Sequence, residues 1–151
     1  PFDFHLTSER GANPVYRIGD NLKLKISLDR DAWIYCFNFS TNKKLYQLFP
    51  NPHFNKTHKE PRLKGGADIT MPDEGHNLFP YDFQVTGPLG NELIKCLAAS
   101  RDVTAELPKA LRGLSSDALP KNLLYSLSSI FQQLPDVAIS EASFVMTISH
   151  E

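Results

Sequence analysis

The run from Ala32 to Phe39 constrains this chain more than any other segment. It is apolar at both parities, with Trp33, Tyr35, Phe37 and Phe39 on one side and Ala32, Ile34 and Cys36 on the other. A strand with one face in water alternates apolar and polar residues, so a strand apolar on both sides needs material packed against each face. The segment is therefore expected in the middle of a sheet. Residues 21–28 read differently: Leu22, Leu24, Ile26 and Leu28 alternate with Lys23, Lys25 and Ser27, the period-2 pattern of a half-buried strand.

A turn through Ser40, Thr41 and Asn42 leads to residues 44–49, so these two runs read as a hairpin. Residues 78–86 alternate through Phe79, Tyr81, Phe83 and Val85, and the Gly87-Pro88-Leu89-Gly90 break passes the chain to residues 92–99, which reads as a second hairpin. Phe2 to Leu6 and Ser143 to Ile148 complete a set of six or seven strands separated by Gly and Pro. This spacing predicts a mainly β fold, an Ig-like antiparallel β-sandwich. Its expected core holds Leu24, Ile26, Trp33, Tyr35, Phe37, Phe83, Leu97, Phe144 and Met146.

Residues 103–134 interrupt the pattern as a helical insertion before the last strand. Leu119, Leu123, Leu127, Ile130, Phe131 and Leu134 recur at helical spacing, with Ser116 or Asp117 as N-cap, Pro120 in the first turn and Pro135 as the stop. A helix over 118–134 is expected, and a shorter one over 104–111 that Pro108 confines or breaks.

The 151 residues fit one domain, 1–151. The chain starts at Pro1, so it is read as a processed protein or a fragment of a longer one. Sixteen Lys and Arg nearly cancel seventeen Asp and Glu, leaving no chain-wide basic field for nucleic acid. No apolar run reaches the roughly 20 residues that span a bilayer.

The sequence contains no Gly-x-Ser-x-Gly elbow, His-Glu-x-x-His helix, P-loop or dinucleotide fingerprint. Cys36 and Cys96 lie among apolar neighbours, where a cysteine is expected to act as a small buried hydrophobe, a disulfide being the alternative and a catalytic thiol disfavoured. Asp29 and Asp31, with Asp68, Asp73 and Glu74 in later loops, could approach a cation, but the spacing fits solvated turns better than the six or more oxygens calcium takes. No catalytic residue, metal ligand or cofactor is assigned.

The order of features resembles a bacterial family of domains of unknown function, number 4384. Carrying the resemblance are Tyr16-Arg17-Ile18-Gly19-Asp20, Asp31-Ala32-Trp33-Ile34-Tyr35 before Phe37-Asn38, Leu48-Phe49-Pro50-Asn51, Ile69-Thr70-Met71-Pro72 and Gly90-Asn91-Glu92. It covers roughly residues 2–100 and the last strand. The resemblance implies an exported or lipid-anchored bacterial protein, or an accessory domain beside other modules, with no activity of its own to carry over.

One charge asymmetry remains. Residues 41–66 hold Lys43, Lys44, Lys56, Lys59, Arg62 and Lys64 against Glu60 alone, an excess of five positive charges on a chain of net charge −1. Phe54 stands in this loop with no apolar stripe to join. The loop, through His53, Phe54, Lys56, His58, Lys59 and Arg62, is the expected partner-binding element. The functional expectation is a non-enzymatic, extracytoplasmic protein-interaction module of a bacterial envelope or secretion assembly, docking a protein partner or an anionic envelope polymer. The alternatives are a glycan- or peptidoglycan-binding module using Tyr46, Phe54 or Tyr81, and an accessory domain regulating an enzyme outside this segment.

Overall fold

The structure is a computed structural model and describes residues 1–53, 61–72 and 83–150. It is mainly β. The strands are β1 (Phe4–Ser8), β2 (Val15–Tyr16), β3 (Asn21–Leu22), β4 (Leu24–Leu28), β5 (Ala32–Phe39), β6 (Leu45–Phe49), β7 (Arg62–Leu63), β8 (Ile69–Met71), β9 (Phe83–Gln84), β10 (Gly90–Ala99) and β11 (Ile139–Ile148). The largest sheet runs β2-β11-β10-β5-β6, with β7 also pairing β5; a smaller sheet runs β1-β4-β8, and β3 pairs β9.

Both faces of β5 are packed, as its composition requires. Ala32, Ile34 and Cys36 point into an inner core against Leu6 of β1, Leu24 and Ile26 of β4 and Met71 of β8. Tyr35 and Phe37 point the other way, into an outer core closed by Val103, Leu107, Leu111, Leu127 and Phe131. Strand β10 divides similarly, giving Ile94, Cys96 and Ala98 to the inner core and Leu97 and Ala99 to the outer one. The main sheet is thus a wall shared by two cores, with the small sheet on one side and a helical layer on the other. Of the residues expected in the core, Trp33 alone is only half-buried, because its ring lies at the β7 edge beneath the Arg62 guanidinium, 5.5 Å from the ring centre.

The helical layer is shorter and more broken than the periodicity of its leucines predicts. It consists of 3-10 turns at Thr104–Glu106, Lys109–Leu111 and Lys121–Tyr125, and one α-helix, α1 (Leu127–Gln132). The expected helix over 118–134 cannot begin at Ser116 or Asp117, because Leu119 N–H donates to Leu45 O at 2.7 Å as a bridge to the sheet and Pro120 is extended. The leucine stripe still points inward, Leu127 and Phe131 being fully buried. Pro108 separates the first two turns, as expected of its missing donor.

Polar ties fasten this layer to the sheet. Tyr35 donates to Asp102 Oδ1 at 3.0 Å and accepts the Val103 N–H at 3.0 Å. Gln47 donates to Leu111 O at 3.0 Å and accepts Gly113 N–H at 3.1 Å. Gly113 has φ +74°, and a Cβ there would stand 2.4 Å from the Pro50 carbonyl oxygen, so a side chain is excluded both by conformation and by contact.

Two expectations need correction. Strand β9 does not form a hairpin with β10; it pairs β3 through Leu22–Phe83 and Asn21–Gln84, while β10 lies between β5 and β11. Residues 78–82 of that expected strand lie outside the described residues. Cys36 and Cys96 are not separate thiols. They occupy directly facing positions on β5 and β10, both wholly buried, and form a disulfide. Facing residues on adjacent strands bring their Cβ atoms close enough to be bridged, a relationship set by register and therefore hidden in the separate segments.

Candidate functional site

Alternation along β10 carries Glu92 onto the same face as Ile94, Cys96 and Ala98, which belong to the inner core. At this end of the main sheet the core gives way to a cleft of about 330 Å³. Leu22, Phe83, Ile94 and Met146 supply its apolar lining, and Asn38, Ser40, Asn42, Tyr46 and Glu92 its polar one. Register explains the grouping: Leu93 faces Phe39, so Glu92 comes beside Ser40, and Asn38 lies between Ile94 on one neighbour and Tyr46 on the other.

Burial pushes the Glu92 carboxyl above the ordinary carboxylate range, while hydrogen bonds from Ser40 and Asn38 partly restore its ionised form. No Lys or Arg among the described residues lies within ion-pairing distance, and none lines the cleft. Asn42 Nδ2 donates to the Tyr46 hydroxyl at 3.2 Å, and Asn42 Oδ1 accepts the Lys44 N–H at 2.9 Å, which fixes the polar rim. The cleft therefore combines a carboxylate that has no counter-ion among the described residues with an apolar floor.

The described flanks of the loop expected to bind a partner lie toward the other end of β5, Phe49 facing Cys36 and Arg62 facing Trp33. Of its residues, Phe54, Lys56, His58 and Lys59 lie outside the described residues. His53 is exposed and its N–H donates to Asn51 Oδ1 at 2.9 Å. Asn51 is itself buried and donates to the carbonyls of Gln47 and Leu48. Arg62 sits opposite Trp33 in β7 and donates to Asp31 Oδ2 at 2.7 Å. The other Asp31 oxygen accepts Gly65 N–H at 2.9 Å, and this bond, reinforced by Arg62, holds the Asp31 carboxyl below its usual range. Asp31 is thus engaged in closing the β5–β7 corner, and neighbouring Asp29 pairs with Arg30 at 3.1 Å. Of the aromatics considered for glycan contact, Tyr46 lines the cleft, while Phe54 and Tyr81 lie outside the described residues.

The Tyr16–Asp20 turn borders the cleft through β9 and its extension. Gly19, at φ +96°, donates to Val85 O at 2.8 Å, and Val85 N–H returns a bond to Asp20 O at 2.8 Å. Asp20 Oδ2 accepts Arg17 N–H at 2.9 Å and Arg10 at 3.1 Å, which lowers its pKa, the Arg17 bond being the larger cause. Arg10 in turn lies 4.1 Å over the ring of the buried Tyr16. This turn and the disulfide-linked strands lie within residues 15–102, the span matched by the model of a family described as a domain of unknown function, DUF4384. The chain belongs to the DUF4384 family. The DUF4384 match includes Glu92 and nearly all the described cleft lining, but not β1, β11 or any turn or helix of the helical layer. No curated protein and no solved structure matches the chain.

In the sequence Glu92 stands out only as part of the Gly90-Asn91-Glu92 run that carries the resemblance, with no site role assigned to it. The signal was present: in the alternation of β10, a carboxylate falls at a position whose successors on the same face are Ile94, Cys96 and Ala98.

Proposed function

We propose that this DUF4384 domain is a non-catalytic protein-interaction module of a bacterial envelope or secretion assembly, working outside the cytoplasm as an exported or lipid-anchored protein. We read its two stacked sheets as an Ig-like sandwich within one domain. The observation carrying the binding role is the Glu92 cleft, a concavity whose described lining combines apolar and polar side chains. The buried Cys36–Cys96 disulfide supports an oxidising compartment.

The loop with His53, Phe54, Lys56, His58, Lys59 and Arg62 is proposed as a second contact element, its excess positive charge suited to an acidic protein surface or an anionic envelope polymer. The glycan alternative is favoured by one feature, the Tyr46 ring beside the amides of Asn38 and Asn42 in the cleft. An accessory domain acting on a neighbouring enzyme would use the same surfaces.

The test is capture from bacterial envelope extracts by the immobilised chain at low and high salt. The parent is expected to retain a defined protein that a variant carrying Phe54→Ala, Lys56→Glu and Lys59→Glu retains weakly and with less salt dependence. Equal capture by parent and variant would remove the loop from the interface. Selective retention of purified peptidoglycan with no protein captured would favour the glycan reading instead.

A further inference from the structure

We propose that the Glu92 cleft is a recognition site for an alkylammonium group, a primary amine carried on an aliphatic stem. The argument begins with charge. A partly buried carboxylate loses hydration, and two neutral hydrogen bonds from Ser40 and Asn38 replace that loss only in part. Among the described residues no cation completes the balance, and the cleft walls contribute none. A cation brought by a ligand would meet an electrostatic demand that the described residues leave open.

Shape and lining narrow the ligand further. Leu22, Ile94 and Met146 offer apolar surface to a methylene stem, while Tyr46 offers an aromatic ring suited to a cationic head. Beside the polar Ser40 and Asn38, the carboxylate suits the compact three-donor ammonium better than a guanidinium, which gains most from a bidentate carboxylate. The volume of about 330 Å³ lies at the small end for ligand pockets and matches one side-chain-sized group rather than a polymer.

Two sources can present this group: a lysine of a partner protein or a free alkylamine. The first deepens the docking reading above and rests on it; the ammonium site itself does not.

The experiment titrates the isotopically labelled full chain with n-butylammonium, and in parallel with n-butanol and butyrate, reading amide shifts. Butylammonium is expected to bind in roughly the millimolar range and to move the amides of residues 38–42, 83–86 and 92–94, with butanol and butyrate at least tenfold weaker. Glu92→Gln should lose at least tenfold in affinity. If that variant fails to fold, Gln84→Lys, at an exposed lining position, should lose as much by supplying its own ammonium. Butanol binding as tightly as butylammonium, or a folded Glu92→Gln or Gln84→Lys variant binding within twofold of the parent, would overturn the proposal. A one-lysine peptide binding more tightly than 1,5-diaminopentane would support a protein source, and the reverse a free amine; either supports the site. Amine binding without partner capture would overturn docking and leave the cleft standing, whereas capture without amine binding would do the opposite.

Discussion

Cys36 of β5 and Cys96 of β10 face one another in register at the centre of the main sheet, and the bond between them closes a sequence separation of 60 residues. Both are fully buried. Because the unfolded chain loses loop entropy when so cross-linked, replacing both cysteines by alanine should cost about 2–4 kcal/mol in denaturant unfolding. Thiol-reactive reagents should label neither position in the folded, unreduced protein. Dithiothreitol should act only as fast as the sheet opens, since solvent does not reach the sulfurs. Two labels on the native protein by mass spectrometry would contradict the disulfide.

Glu92 makes stability depend on pH in a direction opposite to that of most carboxylates. Burial raises its folded pKa above the roughly 4.3 of an unfolded glutamate, so the folded state holds the proton more tightly. Its contribution is fully present below the unfolded value and is lost as pH rises through the folded one. A Glu92→Gln variant, neutral throughout, should therefore gain in Tm relative to the parent as pH rises from 3.5 to 7. Thermal melts across that range check this, and a pH-independent difference would refute it.

Two aromatic residues of the outer core should differ in cost. Phe131 is fully buried, its ring 5.3 Å from that of Tyr35, and Phe131→Ala should destabilise by about 3–5 kcal/mol. Trp33, half-buried beneath Arg62, should cost only about 1–2 kcal/mol when replaced by alanine, through lost area and the cation–ring contact. Urea titrations of the two variants give the comparison.

The Tyr35 hydroxyl binds the start of the helical layer to the sheet. Tyr35→Phe removes the acceptor of Val103 N–H and the donor to Asp102, and should cost about 1–3 kcal/mol. Hydrogen exchange should quicken first at residues 102–107, before the strands respond. Uniform acceleration across the molecule would mean that the layer and the sheet open together.

Much of this arrangement is legible in the sequence because it depends on local period. The double-sided apolar run of β5 predicts a wall with two cores, and the Leu22–Leu28 alternation predicts an inward face that β3 and β4 both bury. What escapes is what depends on register or on competition between elements. The disulfide requires that Cys36 and Cys96 be opposite one another, and the partner of β9 is chosen by the Tyr16–Asp20 turn, which ties Val85 alongside Asp20. The leucine stripe of 119–134 has helical spacing, yet Leu119 is drawn into a bridge with Leu45, and the chain coils only beyond Pro120. The carboxylate of the cleft is readable in the β10 alternation, but that no described Lys or Arg pairs with it is visible only in three dimensions.

The manner in which residues 100–138 leave and rejoin the sheet bears on how such a domain can diverge. Ala99 and Ile139 are register partners on adjacent strands, and just beyond them Ser100 N–H donates to Ala138 O and Ala138 N–H to Ser100 Oγ. The excursion begins and ends at one point. Residues can be gained or lost within it without shifting any pairing of β10 with β11 or β5. The constraints within it are the side chains that cover Tyr35, Phe37 and Leu97 and the ties of Val103, Leu111, Gly113 and Leu119 to the sheet, so between those points this connection is a place where length can drift while the cleft at the other end of the same strands keeps its geometry.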